Sequence, residues 1–176
     1  MKERVEVMIS AEAISKRLEE MAEQIYEDFG GEQIELVCVL KGAVMTLTEL
    51  SKRLKMPVTM SFMDVSSYGS GTESSGKIKI LRDLDEDISG KNVLLIEDII
   101  DSGRTLSHLR ELLMKREPKT FKICTLLDKP DRRVADVPVD YVGFTIPDAF
   151  VVGYGLDYAQ RYRNLNYVGV LHFDEE

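Results

Sequence analysis

Three carboxylates stand directly before a short polar stretch in VLLIEDIIDSGRTL, residues 93–106. Glu97 and Asp98 follow four apolar residues, and Asp101 precedes the stretch Ser102-Gly103-Arg104-Thr105. Adjacent carboxylates can bind a divalent cation or accept hydrogen bonds from a vicinal diol. The polar stretch offers backbone N–H groups and hydroxyls that suit a phosphate. A sugar phosphate, with hydroxyls at one end and a phosphate at the other, matches both halves of the segment.

The segment is not the phosphate-binding loop of nucleoside triphosphatases. That loop requires G-x-x-x-x-G-K-[ST], and Asp98 stands where its first glycine is needed, although Gly103-Arg104-Thr105 resembles its end. Taken alone, SGRT would favour an ordinary capped turn. The acids that follow a buried strand make a binding site the better interpretation.

Strands and helices alternate along the chain, which predicts an α/β fold with a central, mostly parallel sheet flanked by helices. The predicted helices run from the N-cap Ser10 to Gly30-Gly31, from Gly42 to near Pro57, and over 104–115. The predicted strands are 34–40, 58–66, 77–81, 93–96, 121–127, 141–146, 150–155 and 166–171. Ligands bind beyond the carboxyl ends of such strands. The candidates there are Lys41-Gly42, Glu97-Asp98 and Asp128-Lys129.

Length and charge limit the classes of partner. A chain of 176 residues predicts one domain over 1–176. Its formal net charge of -8 disfavours nucleic acid as a partner, but a local basic pocket or a metal ion can still bind a small anion. The N-terminal segment does not resemble a signal peptide, and no apolar run approaches the length of a membrane span. We therefore expect no membrane partner.

The two cysteines, Cys38 and Cys124, lie in strand-like apolar segments and are interpreted as buried thiols. The chain contains no CxxC pair, and its two histidines, His108 and His172, are too few and too isolated for a zinc site. This pattern favours a reducing, cytoplasmic location.

Five segments together resemble a known family. LLIEDIIDSGRTL resembles the phosphoribosyl-diphosphate signature of type I phosphoribosyltransferases, and in particular their bacterial hypoxanthine-guanine branch. The other matching segments, in order and spacing, are LKGA, SSYGSGT, LLDKPDRR and PDAFVVGYGLDYAQRYRNL, and together they cover essentially the whole chain.

The resemblance implies a type I phosphoribosyltransferase fold with a small hood formed by the N-terminal segment and about 147–176. It implies purine salvage by transfer of 5-phosphoribosyl from 5-phosphoribosyl 1-diphosphate to N9 of hypoxanthine or guanine. The products would be IMP or GMP and diphosphate, with Mg²⁺ as cofactor. It also implies a homo-oligomer, with dimer and tetramer both open.

The resemblance gives the residues around the base specific roles. Asp101 would be the general base that takes a proton from N7 of the purine. Lys129 would donate to the exocyclic O6, which favours 6-oxopurines over adenine, because an amino group accepts poorly. Phe150 would stack on the base and Val151 would contribute backbone contacts, although core packing also accounts for an aromatic residue there.

The remaining roles belong to the sugar, its phosphate and the diphosphate. Glu97 and Asp98 would hold the ribose hydroxyls, directly or through Mg²⁺-bound water. Ser67 and Tyr68 would belong to a lid that excludes water. The 5-phosphate would contact Ser102, Gly103, Arg104 and Thr105; the diphosphate would contact Lys41, Gly42 and Arg163; Asp157 would bind the metal; and Ile100 would be a further substrate contact. The Leu40–Lys41 peptide can be cis in this family.

Two alternatives remain open at this point. One is a phosphoribosyltransferase for another base, such as xanthine or uracil, although 147–165 favour hypoxanthine and guanine. The other is a regulator that keeps the fold and binds nucleic acid, which the acidic net charge disfavours. Arg132 and Arg133 are given no role in the site.

Overall fold

The computed structural model describes residues 1–67 and 77–175 of the chain. The strands are β1 (Lys2–Ile9), β2 (Ile34–Val39), β3 (Val58–Ser67), β4 (Ile78–Arg82), β5 (Asn92–Ile100), β6 (Thr120–Asp128), β7 (Tyr141–Thr145), β8 (Val151–Val152) and β9 (Val168–Asp174). The helices are α1 (Ala11–Asp28), α2 (Val44–Ser51) and α3 (Arg104–Met114), with a single 3₁₀ turn over Pro130–Arg132. None of the helices in these ranges combines the length and apolar character needed to cross a membrane.

Six strands form the central sheet in the order β4-β3-β2-β5-β6-β7. Neighbours from β3 to β7 run parallel, and β4 pairs antiparallel with β3. Strand β2 is buried along its whole length, as is the first half of β5, because helices cover both faces of a parallel sheet. The predicted α/β class with a mostly parallel sheet is confirmed.

The helices divide between the two faces of this sheet. Ser10 caps α1, its side chain accepting from the backbone N–H of Ala13 at 3.1 Å. The apolar stripe of α1, from Ile14 to Ile25, packs with α2 on one face. Leu109 and Leu113 of α3 pack on the other face. The carboxyl ends of the parallel strands are thereby left accessible between the two layers.

A second, antiparallel sheet has the order β1-β9-β8 and joins the two ends of the chain, with Lys2 opposite Asp174. Strand β1 was not among the predicted strands, because charged residues occupy half of KERVEVMI and hide its alternation. This sheet lies in the ranges assigned to the hood; the division of the chain into a main body and a hood remains a prediction.

Several predicted boundaries were wrong. Helix α2 begins at Val44 and ends at Ser51, well before Pro57. Strand β5 continues past Ile96 to Ile100, so the two acids lie within the strand and not after it. Strand β8 has only two residues, because Gly153 and Tyr154 follow with φ of 96° and 51° and turn the chain. Strand β9 begins later and ends later than 166–171.

Candidate active site

Two adjoining cavities lie at the carboxyl ends of β5 and β6. The first, here called the base cavity, measures about 370 Å³ and is lined by Ile99, Asp101, Lys129, Arg132, Asp148, Phe150, Val151, Leu156 and Asp157. The second, the phosphate cavity, measures about 250 Å³ and is lined by Val39, Val65, Glu97, Ile99, Ile100, Asp101, Ser102, Gly103, Thr105 and Leu106. Ile99 and Asp101 line both cavities, so a ligand in one would meet a ligand in the other at these two residues.

Asp101 stands at this junction because β5 ends one residue before it. Its side chain is 51% exposed, and its Oδ1 lies 3.6 Å from Nε of Arg132. The backbone carbonyl of Asp101 accepts from Nε of Arg133 at 3.2 Å. The carboxylate is therefore accessible to a ligand, while the backbone that carries it is held in place.

Lys129 follows β6 directly and lines the base cavity. Its backbone N–H donates to the carbonyl of Ile100 at 2.9 Å, which ties the end of β6 to the end of β5. The side chain is 10% exposed, and Nζ lies 3.9 Å from Oδ1 of Asp148. A lysine with so little solvent contact and one distant carboxylate is well placed to donate to an acceptor in the cavity.

Phe150 forms an opposite wall of the base cavity. It is 51% exposed, and its ring contacts that of Tyr158 edge-on, with 5.8 Å between centroids. Its neighbour Val151 is buried and pairs with Val170 of β9. Core packing was the alternative interpretation of Phe150. The core covers only about half of this residue, so packing alone does not account for it. The exposed part of the ring is available to a flat ligand.

The polar stretch after Asp101 forms a turn at the start of α3. Gly103 adopts φ of +80°, and a Cβ there would lie 2.8 Å from the carbonyl oxygen of Ala135, so both conformation and space require glycine. The N–H of Arg104 donates to Oγ of Ser102 at 3.3 Å. Oγ1 of Thr105 lies 3.3 Å from Oγ of Ser67. Backbone N–H groups and hydroxyls thus line the phosphate cavity. Tyr68, the other residue predicted for the lid, lies outside the described residues.

Glu97 and Asp98 point to opposite faces of β5, because successive side chains alternate along a strand. Glu97 lines the phosphate cavity. Asp98 lies against Gly42, where an added Cβ would approach its Oδ2 to 1.8 Å. Its Oδ1 accepts from the N–H of Ile99 at 2.7 Å. The structure therefore separates two carboxylates that were predicted to share one role.

The Lys41–Gly42 segment lies beside Asp98 and beneath a loop from the C-terminal part of the chain. The Leu40–Lys41 peptide is cis. A Cβ at Gly155 would lie 1.9 Å from the carbonyl oxygen of Gly42, so the two backbones are in direct contact. The carbonyl of Gly155 accepts from Nη1 of Arg163 at 2.7 Å. Lys41-Gly42, Asp98 and Arg163 are therefore neighbours, on the other side of β5 from the phosphate cavity.

Burial changes the titration of the two acids. Burial, followed by the Asp98 carboxylate beside it, raises the pKa of Glu97 well above its usual range. Burial also raises the pKa of Asp98, and the nearby Asp157 adds to this effect while Arg163 opposes it. Both acids therefore destabilise the fold when they are ionised. Carboxylates that cost stability are commonly kept for function.

Replacing Glu97 by Gln should stabilise the protein while it weakens substrate binding. At neutral pH we expect a higher Tm by about 2–4 °C, the shift that ~1 kcal/mol produces in a chain of this size. In unfolded chains glutamate titrates near pH ~4.3. The pKa of Glu97 is higher in the folded protein than in the unfolded chain. Ionised Glu97 therefore lowers the free energy of unfolding of the wild type by its full amount above the folded pKa, and this loss disappears as pH falls towards ~4.3.

Thermal unfolding of the wild type and Glu97→Gln from pH 4 to 8 measures this difference. The gap in Tm should be widest at the neutral end and close in acid. Glu19→Gln, an exposed position on α1, makes the same chemical change as a control and should leave Tm unchanged throughout. A Glu97→Gln variant with a Tm at or below the wild-type value at neutral pH would contradict the assignment.

Asp157 lines the base cavity, and Arg163 lies beside it. Oδ1 of Asp157 is 3.4 Å from Nη2 of Arg163, and Oδ2 accepts from the N–H of Gln160 at 2.9 Å. Within 1–67 and 77–175 no three His, Cys, Asp or Glu side chains form a group that could hold a metal ion. Mg²⁺ is usually bound through one or two carboxylates together with substrate phosphates, and Asp98 and Asp157 suit that mode.

Two arginines that were assigned no role from the sequence lie in or under the site. Arg132 lies between Asp101 and Asp148, at 3.6 Å from a carboxylate oxygen of each. Arg133 donates to Asp128 and packs against Gly103. The only available signal was their position shortly after Lys129, at the end of the 3₁₀ turn over Pro130–Arg132.

Comparisons with known proteins show the family of the chain. The model of the phosphoribosyl transferase domain matches residues 8–159. Hypoxanthine phosphoribosyltransferase of Salmonella typhimurium is 56% identical over 179 residues, which cover 99% of this chain and 100% of that one. Hypoxanthine-guanine phosphoribosyltransferase of Bacillus subtilis is 53% identical over 165 residues, 94% of this chain and 92% of the relative.

Solved structures show the same likeness. The crystal structure of a hypoxanthine phosphoribosyltransferase from Staphylococcus aureus superposes with a TM-score of 0.92 at 47% identity, and the match covers 95% of this chain and 91% of that one. The predicted family is confirmed by sequence and by fold: the chain belongs to the phosphoribosyl transferase domain family.

Proposed function

We propose that the protein transfers the 5-phosphoribosyl group of 5-phosphoribosyl 1-diphosphate to N9 of hypoxanthine or guanine. The products are IMP or GMP and diphosphate, and the reaction serves purine salvage. The observation that carries this proposal is the junction of the two cavities at Asp101, with a buried lysine on one side and a phosphate-binding turn on the other. The names of the similar proteins support the same reaction.

The base cavity suits a 6-oxopurine between Phe150 and the side chain of Lys129. The purine would stack on the exposed part of the Phe150 ring. The Lys129 ammonium group, which can only donate, would donate to O6. Val151 would contribute backbone contacts to the base. Adenine presents an amino group in place of O6 and would leave the buried ammonium without its acceptor.

Asp101 would act as the general base. As the N9 lone pair forms the bond to C1′ of the ribose, the bond from C1′ to the diphosphate oxygen breaks and diphosphate leaves with the electron pair. The positive charge on the purine is relieved when the proton on N7 passes to the carboxylate of Asp101. The position of Asp101 on both cavities brings it near the purine and the ribose together.

The sugar phosphate would extend from Asp101 into the phosphate cavity. Its 5-phosphate would accept from the N–H groups and hydroxyls of Ser102 to Thr105, at the N-terminus of α3. Glu97 would accept from a ribose hydroxyl. Ile100 forms part of the apolar floor beneath them.

The diphosphate would lie on the opposite side of β5. Backbone N–H groups of Lys41 and Gly42 and the guanidinium of Arg163 would bind it, and Asp98 and Asp157 would hold Mg²⁺. When bound, Mg²⁺ supplies charge neutralisation on the leaving diphosphate. Glu97 and Asp98 point to opposite faces of β5, which supports a ribose site at Glu97 and a metal site at Asp98.

We also propose a cellular location, an oligomeric state and the classes of partner. We place the enzyme in the cytoplasm, because Cys38 and Cys124 are both buried and unpaired thiols. We propose a homodimer or homotetramer and no nucleic-acid or membrane partner. The acidic net charge supports the absence of nucleic acid.

The test is nucleotide formation from 5-phosphoribosyl 1-diphosphate and each of hypoxanthine, guanine, xanthine and adenine, with and without Mg²⁺. We expect IMP and GMP only when Mg²⁺ is present. Adenine should give product at a rate lower by about 10⁴-fold, because a buried donor is left unpaired. Efficient use of adenine, or turnover of xanthine alone, would refute the proposed specificity.

A further inference from the structure

The loop Asp157–Arg163 carries two residues of the proposed diphosphate site in an unusual backbone conformation. Ala159, Gln160 and Tyr162 have φ of 51°, 65° and 76°. Residues with side chains rarely adopt this left-handed region, and each costs about 1 kcal/mol or more unless the surroundings impose it. Contacts elsewhere in the molecule must therefore hold the loop in shape.

Contacts within the loop connect its backbone to Asp157 and Arg163. The N–H of Gln160 donates to Asp157, and Oε1 of Gln160 accepts from Nη2 of Arg163 at 3.1 Å. Tyr158 and Arg161 exchange two backbone hydrogen bonds, of 2.9 and 3.1 Å. A change in the backbone at 160–162 would therefore move both the carboxylate and the guanidinium.

One carboxylate outside the loop holds this backbone. Oε1 of Glu3, on β1, accepts from Nη2 of Arg161 at 2.7 Å, and Oε2 accepts from the hydroxyl of Tyr162. The hydrogen bond from Tyr162, followed by that from Arg161, holds the pKa of Glu3 below its usual range. The carboxylate is thus satisfied on both oxygens by adjacent residues of the loop.

Glu3 itself is firmly placed. It lies in the antiparallel pairing of β1 with β9, opposite Phe173, and its side chain is 23% exposed. The ring of Phe173 contacts that of Tyr158 at 5.2 Å between centroids. The β1–β9 pair therefore holds the loop at Tyr158, at Arg161 and at Tyr162.

We propose that Glu3 is a positioning residue for the diphosphate end of the sugar substrate, acting through the loop Asp157–Arg163. The inference rests on the proposed function, in which Asp157 and Arg163 bind the metal and the diphosphate. It predicts a selective effect. Binding of 5-phosphoribosyl 1-diphosphate and of diphosphate depends on Glu3, whereas binding of the purine to Lys129 and Phe150 does not.

The test compares Glu3→Ala and Glu3→Gln with Glu6→Ala as a matched control. Glu6 lies on the same strand with a 64% exposed side chain, and it contacts Arg4 and His172 instead of the loop. In steady-state kinetics, KM for 5-phosphoribosyl 1-diphosphate should rise about tenfold in Glu3→Ala, as expected for loss of hydrogen bonds to a charged group. Glu3→Gln, which keeps one acceptor, should fall between. KM for hypoxanthine should stay at the wild-type value in all three.

A second measurement separates this inference from the proposed function. Calorimetric titration with inorganic diphosphate and Mg²⁺ should show about tenfold weaker binding to Glu3→Ala than to the wild type. If the wild type forms no nucleotide yet this difference is found, the proposed function fails and the role of Glu3 stands. Equal diphosphate binding by Glu3→Ala and Glu6→Ala would overturn the role of Glu3, as would an equal rise in KM for both substrates.

Tyr162→Phe keeps the test decisive if Glu3→Ala does not fold. It removes one hydroxyl on the loop and leaves β1 intact. The same selective rise in KM for 5-phosphoribosyl 1-diphosphate is expected, of smaller size because the Arg161 contact remains. A Tyr162→Phe variant with wild-type KM, together with an unchanged Glu3→Gln, would refute the proposal.

Discussion

Asp101→Asn should abolish most turnover while leaving the sugar diphosphate bound. An amide of the same shape cannot take the proton from N7, and loss of a general base commonly lowers kcat by about 10²–10⁴-fold. The fold should be unaffected, because the pair with Arg132 is 3.6 Å long with both side chains more than half exposed, and such pairs contribute little. Steady-state kinetics and calorimetric binding of 5-phosphoribosyl 1-diphosphate measure the two effects separately.

The matched control is Asp131→Asn, the same chemical change at an exposed position in the adjoining 3₁₀ turn. It should keep wild-type kcat and wild-type binding. If Asp101→Asn retained turnover within about twofold of the wild type, a difference of ~0.4 kcal/mol in the barrier, Asp101 would have no part in proton transfer.

Lys129→Met should weaken the preference for 6-oxopurines. Methionine fills the space of the aliphatic stem but cannot donate to O6, and a hydrogen bond from a charged group is worth about 1.5–3 kcal/mol. We therefore expect kcat/KM for hypoxanthine and guanine to fall by roughly 10- to 100-fold. KM for 5-phosphoribosyl 1-diphosphate should change little. Competition between hypoxanthine and adenine as substrates measures the loss of discrimination.

Lys122→Met is the control for this substitution. Lys122 is also partly buried and lies on β6, but near the amino end of the strand, where its ammonium group is 5.6 Å from the ring centre of Phe29. Some loss of thermal stability is expected there and no change in the ratio of purine substrates. The assignment of Lys129 fails if both variants discriminate against adenine as the wild type does.

Long apolar strands and the stripe of α1 were predictable from sequence because burial alone determines them. The runs at Ile34–Val39 and 93–96 are apolar apart from Glu35, as expected for parallel strands covered on both faces. Strand β1 could not be recognised, since its stability comes from pairing with β9 at the far end of the chain. Tertiary pairing of this kind leaves little trace in local composition.

In the site, too, some features are set by residues that are neighbours in the sequence and others by contacts between distant segments. The turn proposed to bind the phosphate was recognisable because its glycine, hydroxyls and acids lie within nine residues, 97–105. The opposite orientations of Glu97 and Asp98 were hidden by the assumption that β5 ended at Ile96. The positions of Arg132 and Asp148 around Asp101 depend on how two connecting segments, one after β6 and one after β7, meet beside the end of β5, and no periodic pattern encodes that.

The pairing of the first strand with the last has a consequence for how the protein is made. Arg4 and Asp174, which are hydrogen-bonded across this sheet, are 170 positions apart in the chain. Contacts of such long range form late, because the entropic cost of bringing the two ends of the intervening chain together must be overcome first. On the ribosome, where segments emerge from the N-terminus onward, β1 remains without its partner until β9 has been synthesised. The central sheet can assemble earlier, so the loop that carries Asp157 and Arg163 reaches its final shape in the last stage of biogenesis.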